Sequence, residues 1–378
     1  MTTTPATARR RFATAVALVL TVSACGSGEA IVDEVNSALD EIATSSSVES
    51  SPSVSTTTGG SDPAPTTSLD PSEPEFRMPL TGEPLESADQ IPNRPALAIK
   101  IPNNPQALPQ AGLNEADIVY EEIINDRITR FAAVFHSQGA EPVGPIRSGR
   151  AQDVDLLSNL NSPLFAWSGG NAGVTRAVNS SSLTSLSYVG GYGNSYYRRD
   201  GRGGAPHNLF SDTATLWELA PDDFALPTPI FPYRLPGEEG LGAGEPATEV
   251  EVTMDSILAR WNYDADSGRY LRTQYGEAHM TELTGQVWAD NLVVLFADYR
   301  SGLIDAKSPE AQTVGSGPLI IFEGGRARHG IWTREANTDP FSFRTDPTES
   351  APTLGLNPGR TFVEIPRNDP ENVSYTGA

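Results

Sequence analysis

The run Ile118-Val119-Tyr120-Glu121-Glu122-Ile123-Ile124, the polar link Asn125-Asp126-Arg127 and the run Ile128-Thr129-Arg130-Phe131-Ala132-Ala133-Val134-Phe135 form the pivot of this chain. Both runs are rich in β-branched and aromatic residues, and the short polar link suits a hairpin turn, so two antiparallel strands are expected. Working outward, Ala96 to Ile101 and Pro163 to Trp167 read as further strands. Gln152 to Leu160 carries Val154, Leu157 and Leu160 at helical spacing; Val174 to Val178 and Thr213 to Leu219 are weaker helical segments. Strands and helices mixed in this order predict an α/β (or α+β) first domain with a mixed sheet over residues 79–226.

Residues 227–246 are rich in Pro, Gly and Glu and read as a linker. Residues 247–367 read as a smaller, β-rich second domain. Val250 to Met254, Ala259 to Tyr263, Arg269 to Gln274, Asn291 to Phe296, Leu319 to Phe322 and Arg326 to Trp332 all look extended, with turn signals at Asp266-Ser267-Gly268 and Gly324-Gly325. Residues 368–378 are expected to fray.

Upstream of the folded region lie two segments of another kind. Arg9-Arg10-Arg11, an apolar run from Phe12 to Val22 and the exit Val22-Ser23-Ala24-Cys25 have the layout of a secretory signal over residues 1–24. The apolar run is shorter than the roughly 20 residues that span a bilayer. Val-Ser-Ala-Cys resembles a bacterial lipobox, which implies that Cys25, the single cysteine of the chain, is lipidated and anchors an exported protein to the outer face of the cell membrane. Residues 25–78 are dominated by Ser, Thr, Pro and Gly and read as a disordered tether. Within it Ile31, Val35, Leu39 and Ile42 recur at helical spacing, in a segment too short for a stable isolated helix.

The 378 residues carry a formal net charge of −22. Without residues 1–24 the chain loses three arginines and no acid, which leaves −25. Such a charge disfavours nucleic acid and anionic lipid as general partners. It does not exclude a local basic site.

No G-x-S-x-G, H-E-x-x-H or paired C-x-x-C occurs. No metal site or cofactor is expected. Gly169-Gly170-Asn171-Ala172-Gly173 sits between a strand and a helix, a context for phosphate binding, but it lacks the established nucleotide-binding spacings and reads as a tight turn. Tyr188 to Leu209 combines Tyr188, Tyr192, Tyr196 and Tyr197 with Arg198, Arg199 and Arg202, then Ala205-Pro206-His207-Asn208. Rings beside guanidinium groups suit a sugar or an anionic oligomer. The alternative is a surface loop with its arginines paired to local acids. Arg127, Arg130, Arg147 and Arg150 lie near Glu121, Glu122, Asp126 and Asp153. If the two pivotal strands pair, Glu122 faces Arg130. This set is either an anion site or an ion-pair network holding the loop.

Several motifs resemble the YerB-like bacterial lipoproteins, a family defined by a domain of unknown function. They are Asn93-Arg94-Pro95, Ala111-Gly112-Leu113, Ala116-Asp117-Ile118-Val119-Tyr120-Glu121, Ile128-Thr129-Arg130-Phe131, Gly144-Pro145-Ile146-Arg147-Ser148 with Arg150, Ala205-Pro206-His207-Asn208, and the surroundings of Asn291 and Gly330-Ile331-Trp332. The resemblance covers most of residues 79–366. It implies a two-part extracytoplasmic lipoprotein with an α/β first half, and no established activity. Gly149 stands where the family pattern has alanine.

Two functional readings follow. In the first, a non-enzymatic envelope protein binds a cell-wall glycan, peptide or protein through Arg130, Arg147, Ser148, Arg150, Tyr197, Arg199, His207 and Asn208. In the second, an extracytoplasmic hydrolase acting on wall polymer or phosphodiester uses His207 as general base or metal ligand, Glu121 or Glu122 as acid, and Arg147, Arg150 or Arg199 to steady developing negative charge. A spacer without a ligand is a third.

Overall fold

The computed structural model describes residues 76–235 and 244–377. The expectations for the signal, Cys25 and residues 26–75 lie outside them.

The pivotal hairpin forms as read. Strand β2 (Ile118–Ile123) pairs antiparallel with β3 (Thr129–Phe135), and Glu122 is the register partner of Arg130. On the far side of β3 lies β1 (Leu97–Asn103), antiparallel to it, followed by β4 (Leu164–Trp167) and β5 (Thr184–Ser187), both parallel. Helix α1 (Gln152–Leu157) ends in a 3-10 turn over Ser158–Leu160, and α2 (Ala172–Asn179) follows β4.

The free side of β2 is filled by a strand from the other half of the chain. β12 (Thr361–Ile365) runs parallel to β2 and, on its other side, parallel to β9 (Asn291–Leu295). β9 pairs antiparallel with β10 (Gly315–Glu323), which pairs with β11 (Arg326–Arg334). One mixed sheet of 11 strands therefore passes through both halves. A second, antiparallel sheet contains β6 (Glu249–Met254), β7 (Ile257–Asp264), β8 (Arg269–Gln274) and β13 (Val373–Thr376).

The period-2 alternation of the strands divides the core in two. Val119, Phe131, Ala133, Leu292, Val294 and Phe362 face one way and pack with Val250, Val252, Trp261 and Tyr270 of the second sheet. Ile118, Tyr120, Ala132, Val134, Val293 and Val363 face the other way, against Leu156, Leu157 and Leu160 of the α1 region and against Phe231, Phe341 and Phe343. Both faces of the central strands are buried, so these strands read as continuous apolar runs.

One expectation gains detail and one is corrected. The described part of the linker, residues 227–235, does not run free of the core: Ile230 and Phe231 are buried, and the Phe231 ring lies 5.5 Å from Phe343. Pro-Gly-rich composition hid two apolar anchors. Nor does the segment after Asn368 fray, because β13 adds to β6 with Val250 opposite Tyr375. The alternation Val373-Ser374-Tyr375-Thr376 was its signal.

Candidate anion-binding site

Adjacent residues on a strand point to opposite faces, so Glu121 and Glu122 enter different surroundings. Glu121 points toward the second sheet, fully buried. It accepts hydrogen bonds from Asn103 Nδ2 at 2.6 Å and Thr129 Oγ1 at 2.5 Å, and pairs with Arg272 Nη2 of β8 at 2.6 Å. Arg272 also lies 3.8 Å from Glu364 of β12 and bonds His279 Nδ1 at 2.6 Å, while His279 Nε2 meets Gln110 Oε1 at 2.8 Å. Burial, then the neighbouring Glu121 carboxylate, push the Glu364 acid well above the usual carboxylate range. Burial and Arg272 hold His279 well below the usual histidine value. This network fastens β2, β8 and β12 together.

Glu122 points the other way, toward α1. It pairs with Lys100 of β1, whose Nζ also pairs with Asp153 Oδ1 at 2.6 Å; all three side chains are buried. Burial pulls the Lys100 ammonium down to about 8, against the pull of Asp153. Asp153 Oδ2 additionally accepts from the Arg150 backbone N at 2.6 Å, which fixes the entry into α1.

Over this buried floor stand three arginines. Arg130 is 7% exposed, and its Nη1 donates to the Ser148 carbonyl at 2.6 Å. Burial first, and then Arg150 and Arg147, lower it to about 9. Arg147 is half-buried, and burial and Arg150 lower it too. Its guanidinium makes no hydrogen bond or ion pair among the described residues, and its Nε is buried without a partner. Arg150 donates to Asn125 Oδ1 and to the Gly149 carbonyl. Lys100 is paired with two carboxylates, whereas Arg130 and Arg147 have none in ion-pair range among the described residues.

Backbone bonds hold the arginine segment in place. Arg147 N donates to the Lys100 carbonyl at 2.8 Å, and Ser168 N donates to the Arg147 carbonyl at 2.9 Å. Ser148 Oγ lies 3.4 Å from Ser168 Oγ. Gly149 is explained by its neighbours: a Cβ there would come within 2.8 Å of Trp167 Cε3, and Trp167 stacks on Phe165. Large rings take the space in which the family pattern has a methyl group.

The tyrosine-arginine loop contributes less than its sequence promised. His207 approaches the site, where burial and then Arg147 lower its pKa. Arg199 instead forms a bidentate pair with Glu282 at 2.7 Å for both bonds, and its guanidinium lies 4.8 Å from the Phe210 ring. Asn208 accepts from Arg198 Nη1 at 2.8 Å. Tyr197 is exposed on the short ribbon Tyr197–Arg198 with Leu209–Phe210. Arg199 is therefore held by Glu282 from the second half of the chain, not by an acid of its own loop, and Asn208 by its neighbour Arg198. The hydrolase constellation is not assembled: Glu121 faces away on the opposite side of the sheet, and Glu122 is engaged by Lys100. Lys100 was missed as a member of the site. A lone lysine inside the apolar run Leu97 to Ile101 was the available signal, in a chain with only two lysines.

Among the described residues this face of the sheet thus combines a buried, ion-paired floor with two guanidinium groups that have no carboxylate in ion-pair range. Family models described as "Protein of unknown function (DUF3048)" match residues 80–225 (N-terminal domain) and 249–363 (C-terminal domain), and the chain belongs to this family. The Putative lipoprotein YerB of Bacillus subtilis (strain 168) is 27% identical over 79% of this chain and 89% of its own length. The crystal structure of YerB protein from Bacillus subtilis has the same fold, with a TM-score of 0.67 over 80% of this chain and 100% of that one at 24% identity.

Proposed function

We propose that this chain is an exported binding module, anchored through acylated Cys25 to the outer face of the membrane, that holds an anionic group of a cell-envelope glycan, peptide or protein at Arg130 and Arg147. The lipoprotein character of the Bacillus relative supports the anchor. One acyl chain binds only marginally, so at least two are required on Cys25. An intact mass of membrane-extracted protein without them would refute this part.

One observation carries the binding part. Arg130 is buried, Arg147 is half-buried, and neither has a carboxylate in ion-pair range among the described residues. Burying a guanidinium without its counter-charge costs stability, and an incoming anion supplies that charge. The test is thermal unfolding with and without inorganic phosphate. A ligand at ten times its Kd stabilises by about 1.4 kcal/mol, a shift of a few degrees. Arg147→Ala should keep the melting temperature without phosphate and lose the phosphate shift. An equal shift in both proteins overturns the reading.

A further inference from the structure

The anion site has a neighbour. Beyond the turn that joins β2 to β3 lies a hollow of about 290 Å³ lined by Arg127, Arg300, Lys307, Arg367, Asp255 and Tyr299 among others. Of its lining groups four are cationic and one is acidic. Asp255 is spent on Arg367, bound through two contacts of 2.6 and 3.1 Å. The side chains of Arg127, Arg300 and Lys307 make no hydrogen bond or ion pair among the described residues. In a chain with 48 acids and 26 cations, a second uncompensated cationic hollow is not expected from composition.

The two places share one turn. Arg150 Nη2 donates to Asn125 Oδ1 on one side of it. Arg127, two residues on and so within about 7 Å along the backbone, lines the hollow on the other. Arg127 is fixed in an unusual conformation: its φ is 60°, a left-handed value that costs a non-glycine residue free energy. Its carbonyl is pinned by Ser256, whose N donates at 3.3 Å and whose Oγ also donates. The ribbon that supplies Arg300 is tied to the same hairpin and to α1. Tyr299 Oη accepts from Ile123 N at 3.1 Å, and Ala311 N donates to Gln152 Oε1 at 2.6 Å.

We propose that the ligand is a linear polyanion of the cell envelope, whose successive phosphate or carboxylate groups lie across the Ile124–Ile128 turn, one at Arg130 and Arg147 and the next in the hollow of Arg127, Arg300 and Lys307. This rests on the reading of Arg130 and Arg147 as an anion site. A single small anion spans one place at a time. A chain of charges uses both, and the second contact becomes intramolecular once the first is made, which multiplies affinity without new chemistry at either place.

The experiment titrates the full chain by calorimetry with orthophosphate, linear polyphosphate, polygalacturonate and phosphatidylglycerol vesicles. Polyphosphate or polygalacturonate should bind at least tenfold more tightly than orthophosphate, and which of the two does so assigns the charge type. The double variant Arg300→Ala/Lys307→Ala should lose that advantage while keeping the orthophosphate binding that Arg147→Ala removes. Its affinity for the polymer should also fall less steeply with salt, since each lost phosphate contact removes roughly 0.7 to 0.9 from the slope of log K against log salt. Equal affinity for orthophosphate and both polymers overturns the proposal, as does a double variant that keeps the polymer advantage. Binding to the vesicles with none to the soluble polymers overturns it in favour of a membrane surface. If Arg147→Ala leaves orthophosphate binding intact, the failure lies with the anion site itself.

Discussion

Glu364 sits among Glu121, Arg272 and Trp261, with Trp261 Nε1 donating to its Oε1 at 2.9 Å. Its raised pKa has a definite sign for stability. The native state binds a proton that the unfolded chain releases in the ordinary carboxylate range, so this group's contribution is full at low pH and declines as pH rises above about 4.5. Glu364→Gln should leave stability at low pH nearly unchanged, because a buried neutral acid is replaced by a neutral amide, and should flatten the decline, so that the variant gains on the parent as pH rises. Glu121→Gln should instead cost about 3–5 kcal/mol, since it strips Arg272 of its closest counter-charge. Urea unfolding of both variants across pH checks the pair; a Glu364→Gln curve parallel to the parent would contradict the assignment. At this scale the sequence was partly legible. Placing Glu122 opposite Arg130 followed from pairing two strands, but choosing Lys100 as the actual partner of Glu122 required knowing that β1 lies beyond β3. Glu364 and Arg272 left no mark in their own segments, because a charged residue in an alternating strand looks the same whether it meets solvent or another sheet.

Strand β12 shows why elements were easier to read than their arrangement. Its residues Thr361-Phe362-Val363-Glu364-Ile365 are all buried, yet no local signal distinguishes a strand that joins its own neighbours from one that crosses to β2. Hairpins such as β2–β3 and β10–β11 declare themselves through their turns; a parallel contact between distant segments does not. β12 has a consequence for fragments. A chain of residues 79–226 alone would expose the β2 edge along Ile118 to Glu122, and an exposed apolar edge favours aggregation. We expect that fragment to lack a cooperative unfolding transition in circular dichroism, whereas residues 76–378 should unfold in one step. A sharp, reversible transition of the fragment would show that the first half closes its own sheet.

Across the whole molecule, charge and position are decoupled. The chain is strongly acidic, yet Arg130, Arg147, Arg127, Arg300 and Lys307 gather around one end of the central hairpin. Net charge governs long-range repulsion of polyanions, screened beyond about 8–10 Å at ordinary ionic strength, so a local cationic surface can still act at contact. Composition could exclude the general class of partner but not this local exception, because folding, not sequence distance, brings Arg300 beside Arg127. The insertion of β12 between β9 and β2 also dictates a schedule. Ile118 leaves the ribosome, and any export channel, long before Thr361 does, and until Thr361 arrives the sheet cannot close at its centre. A polypeptide whose middle waits for so late a strand commits to its final shape only once nearly all of it has been made.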